Sequence, residues 1–356
     1  MSKQEELEKR EEEEVLEGKE EGKEEAVSEL SEEEREEQER IEQEFEQAQE
    51  RLGGLIGLVD ERYEAPDSSL AKNPEQLEQY KLHNDDILKL CVERGLQKGL
   101  SPEQLRTLET AAVLHDLTKG DQPPEEMADI PNYVLAAHGE MAAGEVEDIL
   151  EGHPEILTGI LGEEYSQEQA EETIALIQQA IKSHMGPNPG FMANVLKGVN
   201  EKLAEKRLDE KELLLVEHPY PEKGEPIAET LLAADMRSLA GRKGREKVLA
   251  THEASPFFRN QDVKVCGEYR KMGIDLGFGE AALLSGFTSA QEAVEMMHNE
   301  DDREWVGEAF EASKQGEYVF EGETVVYSQA MAKKQEFEKA KELAKAREGL
   351  EEAEIE

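Results

Sequence analysis

Ser101-Pro-Glu-Gln-Leu-Arg-Thr-Leu-Glu-Thr-Ala-Ala-Val-Leu-His115-Asp116-Leu-Thr-Lys119-Gly120 is the stretch whose reading decides the fold. Ser101 serves as an N-cap, Pro102 fills the first helical position and Gln104 completes a capping box, so a helix starts here. Leu105, Leu108, Ala112 and His115 then recur at steps of three and four, which places them on one helical face. Gly120, with Pro123-Pro124 beyond it, ends the helix. His115 thus takes a place that a leucine would fill, and Asp116 follows it around the same helix end.

The pattern recurs along the chain. His83 shares a face with Tyr80, Ile87 and Leu90, and His138 with Leu135, Met141 and Ala142. His184 ends the stripe Ala170, Ile174, Ile177, Ile181, on a helix opened by Ser166 and Gln169 in another capping box. Asp235 steps by fours from Ile227 and Leu231 to Leu239. Polar groups in apolar stripes need partners, because burying them unpaired is costly. A single histidine on an apolar face is more often a hydrogen-bonded core residue than a ligand; Asp235 is the strongest single position, since carboxylates are almost never fully buried without a partner. Neutral imidazoles mixed with carboxylates are ligands for a divalent first-row metal, and one or two shared metals would satisfy all six positions together.

Between about residues 75 and 255 the periodicity predicts helix after helix with short breaks, hence an all-α helical bundle. Residues 1–40 form an acidic tail, read as disordered or as a solvated helix, able to recruit a protein partner. Residues 41–260 form the metal-binding helical domain, beginning with Ile41, Phe45, Ala48, Leu52, Leu55 and Val59 at helical spacing and a break expected at Gly53-Gly54. Met185-Gly-Pro-Asn-Pro-Gly190 reads as a loop. Residues 261–356 form an accessory segment with a hairpin, Glu317–Phe320 and Thr324–Tyr327 joined by Glu-Gly-Glu, and a charged C-terminal helix.

The chain has 356 residues and a net charge of −45, which speaks against long nucleic-acid ligands, whose phosphates need Lys and Arg. A small nucleotide stays compatible, since a metal supplies positive charge locally. Two distant cysteines give no disulfide framework and fit a reducing compartment. The charged N-terminus lacks the apolar core of a signal peptide and no run has the length to cross a bilayer, so a cytoplasmic location without membrane association is expected.

The order His83, His115-Asp116, Asp235 resembles the HD-domain superfamily of metal-dependent phosphohydrolases. Val113-Leu-His-Asp-Leu-Thr-Lys119 is similar to that family's central helix and Ala-Ala-Asp235-Met to its final motif, with His138 and His184 where binuclear branches carry extra ligands. The resemblance spans about residues 75 to 245. The Gly-Tyr-Pro signature and tandem histidine of the cyclic-dinucleotide phosphodiesterases are absent after His184, where Met185 follows. The closer pattern is that of small HD hydrolases acting on dinucleoside polyphosphates. The resemblance implies a helical bundle holding a divalent metal (Mn, Fe, Zn, Co or Mg, one or two per chain).

It also implies hydrolysis of a phosphate ester or anhydride of a nucleotide or other small phosphorylated molecule. The metal answers the two needs of that reaction, lowering the pKa of water and drawing charge from phosphoryl oxygens. His83, His115, Asp116 and Asp235 would take a first metal; His138 and His184, with Asp116 bridging, a second. Lys119 is expected to meet a substrate phosphate, or else to complement the helix C-terminus. The run Arg237, Arg242, Lys243, Arg245 reads either as a phosphate guide or as a solvated face; His153, His218, His252 and His298 receive no role. The competing class is a non-catalytic HD-like scaffold that binds a protein partner.

Overall fold

A computed structural model describes residues 31–186, 191–206 and 216–353. The acidic tail up to residue 30 and residues 187–190 of the expected Pro-Gly loop lie outside the described residues. The chain divides into two compact units, Met1–Glu50 and Arg51–Glu356. In the first, the described residues from Glu32 onward are helical, with Glu32, Glu33 and Glu34 in the opening turn, where acidic side chains complement the helix dipole.

The second unit begins within helix α1 (Glu32–Glu64), whose later turns bury Leu52, Leu55, Val59 and Tyr63. Gly53-Gly54 does not break this helix. A helical glycine costs only about 1 kcal/mol against alanine, less than the roughly 1.5–3 kcal/mol gained by burying each large apolar side chain.

Helices α2 (Pro74–Gln97) and α3 (Pro102–Leu114) pack together. They approach closely at Gly95, where a Cβ would lie 2.7 Å from Leu105 Cδ1. Helices α4 (Tyr133–Gly152), α5 (Pro154–Leu161), α6 (Gln167–Ser183), α7 (Phe191–Glu205) and α8 (Pro226–Ala240) follow. The capping boxes expected at Ser101/Gln104 and Ser166/Gln169 both form. Ten of the fifteen residues of α8 are buried and none is exposed, and it contacts α2, α3 and α6. The helices expected to carry the polar positions therefore surround one another.

Helices α9 (Arg242–Ala254), α10 (Pro256–Lys271), α11 (Phe278–Met296) and α12 (Glu300–Ser313) precede a hairpin, β1 (Glu317–Phe320) and β2 (Glu323–Val326), and α13 (Tyr327–Ala353). The hairpin is antiparallel with Phe320 opposite Glu323. Its turn is the two residues Glu321 and Gly322, both at positive φ (50° and 80°), the backbone that a tight hairpin demands. Glu323 therefore belongs to the second strand and Tyr327 to the last helix, a shift of one residue from the sequence reading. Tyr318, Phe320 and Val325 share a core with Leu232 and Met236 of α8 and Trp305 of α12, so the hairpin does not stand alone. The fold is all-α apart from this hairpin, and no helix among the described residues is long and apolar enough to cross a membrane.

Candidate metal centre

Six side chains from five segments meet around Asp116. His83 comes from α2, His115 and Asp116 from the end of α3, His138 from α4, His184 from the end of α6 and Asp235 from α8. Asp116 is fully buried and its two oxygens divide the site. Oδ2 lies 3.7 Å from His83 Nε2 and 3.6 Å from His115 Nε2. Oδ1 lies 3.1 Å from His138 Nε2 and 3.7 Å from His184 Nε2. Asp235 joins through Oδ1, 3.4 Å from His83 Nε2. The result is two overlapping groups, His83/His115/Asp116 and Asp116/His138/His184, in each of which the potential ligand atoms lie within 4.8 Å of one another.

Local backbone aims three of the rings. Nδ1 of His115, His138 and His184 each donates to the carbonyl three residues earlier, on Ala112 (2.7 Å), Leu135 (3.0 Å) and Ile181 (2.5 Å). A carbonyl only accepts, so the proton sits on Nδ1 and Nε2 turns a lone pair toward Asp116. Beyond α3 the chain continues in tight turns, with the Lys119 N–H bonding the Asp116 carbonyl at 2.9 Å. The Tyr63 hydroxyl also donates to that carbonyl (2.9 Å), and the Thr118 hydroxyl donates to the His138 carbonyl (2.9 Å), tying the turn to α4. Gly139 sets the approach of α4 to α6: a Cβ there would lie 3.1 Å from the Ile181 carbonyl oxygen and 3.2 Å from His184 Cε1.

The donors fit a metal. His138 Nε2 and His184 Nε2 face each other at 3.2 Å, two lone pairs with nothing positive between them unless a cation enters. Burial pushes His138 down to about 4 and His115 down to about 3, so both are neutral near pH 7. His83 is lowered by burial and then by the Lys247 ammonium. His115 Nε2 is buried without a hydrogen-bond partner, a state that ordinarily carries a penalty and that metal ligation relieves. Burial pushes the Asp116 carboxyl up, but the Lys119 ammonium against it prevails and holds the group well below the usual carboxylate range. Asp235 behaves alike: burial raises it, the His83 contact prevails and its pKa falls. Imidazole nitrogens with carboxylate oxygens suit Mn, Fe, Co or Zn better than an all-oxygen cage ion.

Lys119 sits against both Asp116 oxygens, at 3.0 and 2.8 Å. Burial opposes its charge and Asp116 more than restores it, so its pKa is raised. The basic run does not form one solvated face. Arg245 is buried and bonds the Leu239 carbonyl, and Arg237 lies 4.4 Å over the Trp305 ring. Arg242 pairs with Glu246 and Lys243 with Asp86. The sequence placed His252 among polar residues, but it is buried and bonds Asp262 at 2.8 Å. The fold brings Asp262 from α10 to it, one helix further on.

Sequence reasoning missed Tyr63, Gly139 and Lys247. Tyr63 lies one turn beyond Val59 on the apolar stripe of α1, a signal that was present. Nothing local marks Gly139 or Lys247, whose positions depend on packing between helices. Lys247 faces a cleft of about 250 Å³ beside the cluster, whose walls include Gln79, Leu82, His83, Ser238 and Leu239. No protein-family model, curated protein or solved structure matches this chain significantly.

Proposed function

We propose that this chain is a metal-dependent phosphohydrolase of the HD type, acting in the cytoplasm on a nucleotide or other small phosphorylated molecule. The observation that carries the reading is Asp116, whose two oxygens each face a pair of imidazole Nε2 atoms. His83, His115, Asp116 and Asp235 would hold one metal, and Asp116, His138 and His184 a second. A divalent metal in such a site supplies Lewis acidity toward phosphoryl oxygens and acidifies water.

The chain's own residues have separate tasks. The carbonyl-bonded imidazoles keep their tautomer fixed, so no proton has to leave Nε2 before ligation. Asp116 and Asp235 are ionised at neutral pH and bring negative charge to balance the metals. Lys119 neutralises Asp116 and is the nearest ammonium from which a phosphoryl oxygen could draw a charge-assisted hydrogen bond. The burial of Asp116, His115 and His138 keeps bulk water from the cluster, which strengthens each of these interactions.

The test is metal content by elemental mass spectrometry, with phosphatase activity on the same samples, for wild type and Asp116→Ala. The expected result is about one or two metals per chain, lost together with activity in the variant. A wild type that is free of metal, and inactive after addition of manganese, iron or zinc, overturns the reading.

A further inference from the structure

The cleft beside His83 has an unbalanced charge. Two acids line it, and each is already neutralised: Asp86 by Lys243 at 2.8 Å and Glu246 by Arg242 at 2.9 Å. Lys247 forms no ion pair among the described residues. Its ammonium lies 4.5 Å from the centroid of the Tyr80 ring, and Lys119 lies 5.5 Å from that same ring. The Tyr80 face thus supports two cations, one committed to Asp116 and one turned to the cleft. In a chain of net charge −45 an ammonium that no carboxylate of the described residues pairs with is open to a different anion. The other walls suit an organic group: Leu239, Gln79 and Leu82, the last 52 % exposed at the rim.

His83 is the residue common to this cleft and the cluster. Among the cluster residues His83 and Asp235 keep slight exposure, at 7 % each, whereas His115, Asp116 and His138 have none, and of these it is His83 that lines the cleft. The cleft, at about 250 Å³, is smaller than the roughly 300–1,000 Å³ of pockets for drug-sized ligands and can enclose only a small molecule.

We propose that this cleft seats a small phosphate monoester, with Lys247 Nζ on the phosphoryl oxygens and Leu82 and Leu239 flanking the organic group. The proposal rests on the hydrolase reading for its product, but its binding chemistry is separate. Lysine suits the task as a compact point charge that follows a phosphate without imposing a fork geometry.

The full-length chain is compared with Lys247→Gln, Lys247→Arg and Lys243→Gln. Inorganic phosphate is titrated by calorimetry, and KM and kcat are measured with para-nitrophenyl phosphate. Removing a charge-assisted contact should weaken phosphate binding and raise KM by about tenfold or more in Lys247→Gln. Lys247→Arg, which keeps the charge, should recover most of the loss, and kcat should move by no more than about threefold. Lys243→Gln, which leaves the Asp86 carboxylate unpaired at the cleft, should weaken phosphate binding by less than Lys247→Gln does, and metal content should be the same in all four proteins. If Lys247→Gln binds phosphate as wild type does, or wild type binds none, the cleft proposal is wrong while a metal-loaded, active protein leaves the hydrolase reading intact. A metal-free, inactive wild type overturns the hydrolase reading instead, and the phosphate titration then still decides for or against Lys247.

Discussion

Two regions of this molecule bury charge, and they do so in opposite ways. Asp302 of α12 is buried with each carboxylate oxygen taken by a cation, Arg94 Nε at 2.8 Å and Lys98 Nζ at 2.7 Å. The guanidinium groups of Arg94 and Arg237 flank Trp305 at 5.2 and 4.4 Å, linking α2, α8 and α12. Around Asp116 one ammonium faces a gathering of acceptors, with four imidazole nitrogens directed at the same two oxygens. The first network pairs unlike groups, two cations on one carboxylate. The second collects like groups, which is unfavourable alone and favourable around a cation. A buried ionic network built for structure and one built for a ligand are therefore told apart by the balance of donors and acceptors, since burial is common to both.

The sharpest way to break this comparison is Asp302→Ala. It leaves the buried Arg94 and the half-buried Lys98 without their counter-ion and should cost about 3–5 kcal/mol of stability in urea unfolding. Metal content should not change; a fall would mean that the two networks are not independent. Gly139→Ala tests the packing of α4 on α6. The Ile181 carbonyl and the His184 ring must shift to admit the methyl group, at an expected cost of about 1–3 kcal/mol. Metal bound per chain should fall with it, and full occupancy with unchanged stability would show that the close approach is not needed. Tyr63→Phe is the mildest. Losing the hydroxyl, which donates to the Asp116 carbonyl and accepts from Asn84 Nδ2, should lower stability by about 1–2 kcal/mol and leave metal stoichiometry alone. No loss in unfolding experiments would remove Tyr63 from the support of the turn.

Much of this arrangement was legible because an apolar stripe dictates which way its polar member points. Ile177 and Ile181 are buried, so His184 on the same face turns inward; Leu231 does the same for Asp235, and Leu108 for His115. The capping boxes and the stop after His115 follow from chemistry within a few residues of the chain. What the sequence could not supply is relations between helices. The division of Asp116's oxygens between two histidine pairs depends on the packing of α2, α4 and α6. So do the contact of Lys119 with that carboxylate and the inward turn of Arg245, read beforehand as part of a surface run. At Gly53-Gly54 a local weakness was overruled by the apolar side chains around it.

The bond from each Nδ1 to the carbonyl three residues earlier has a consequence for how such a centre can change. Each of these three rings takes its bearing from a single turn of its own helix, so the aim is a modular property. Sequence drift along most of α3, α4 or α6 leaves it undisturbed while the helix axis holds its course. Tolerance is then unevenly spread, with wide latitude on the solvent faces and almost none at crossing points such as Gly139.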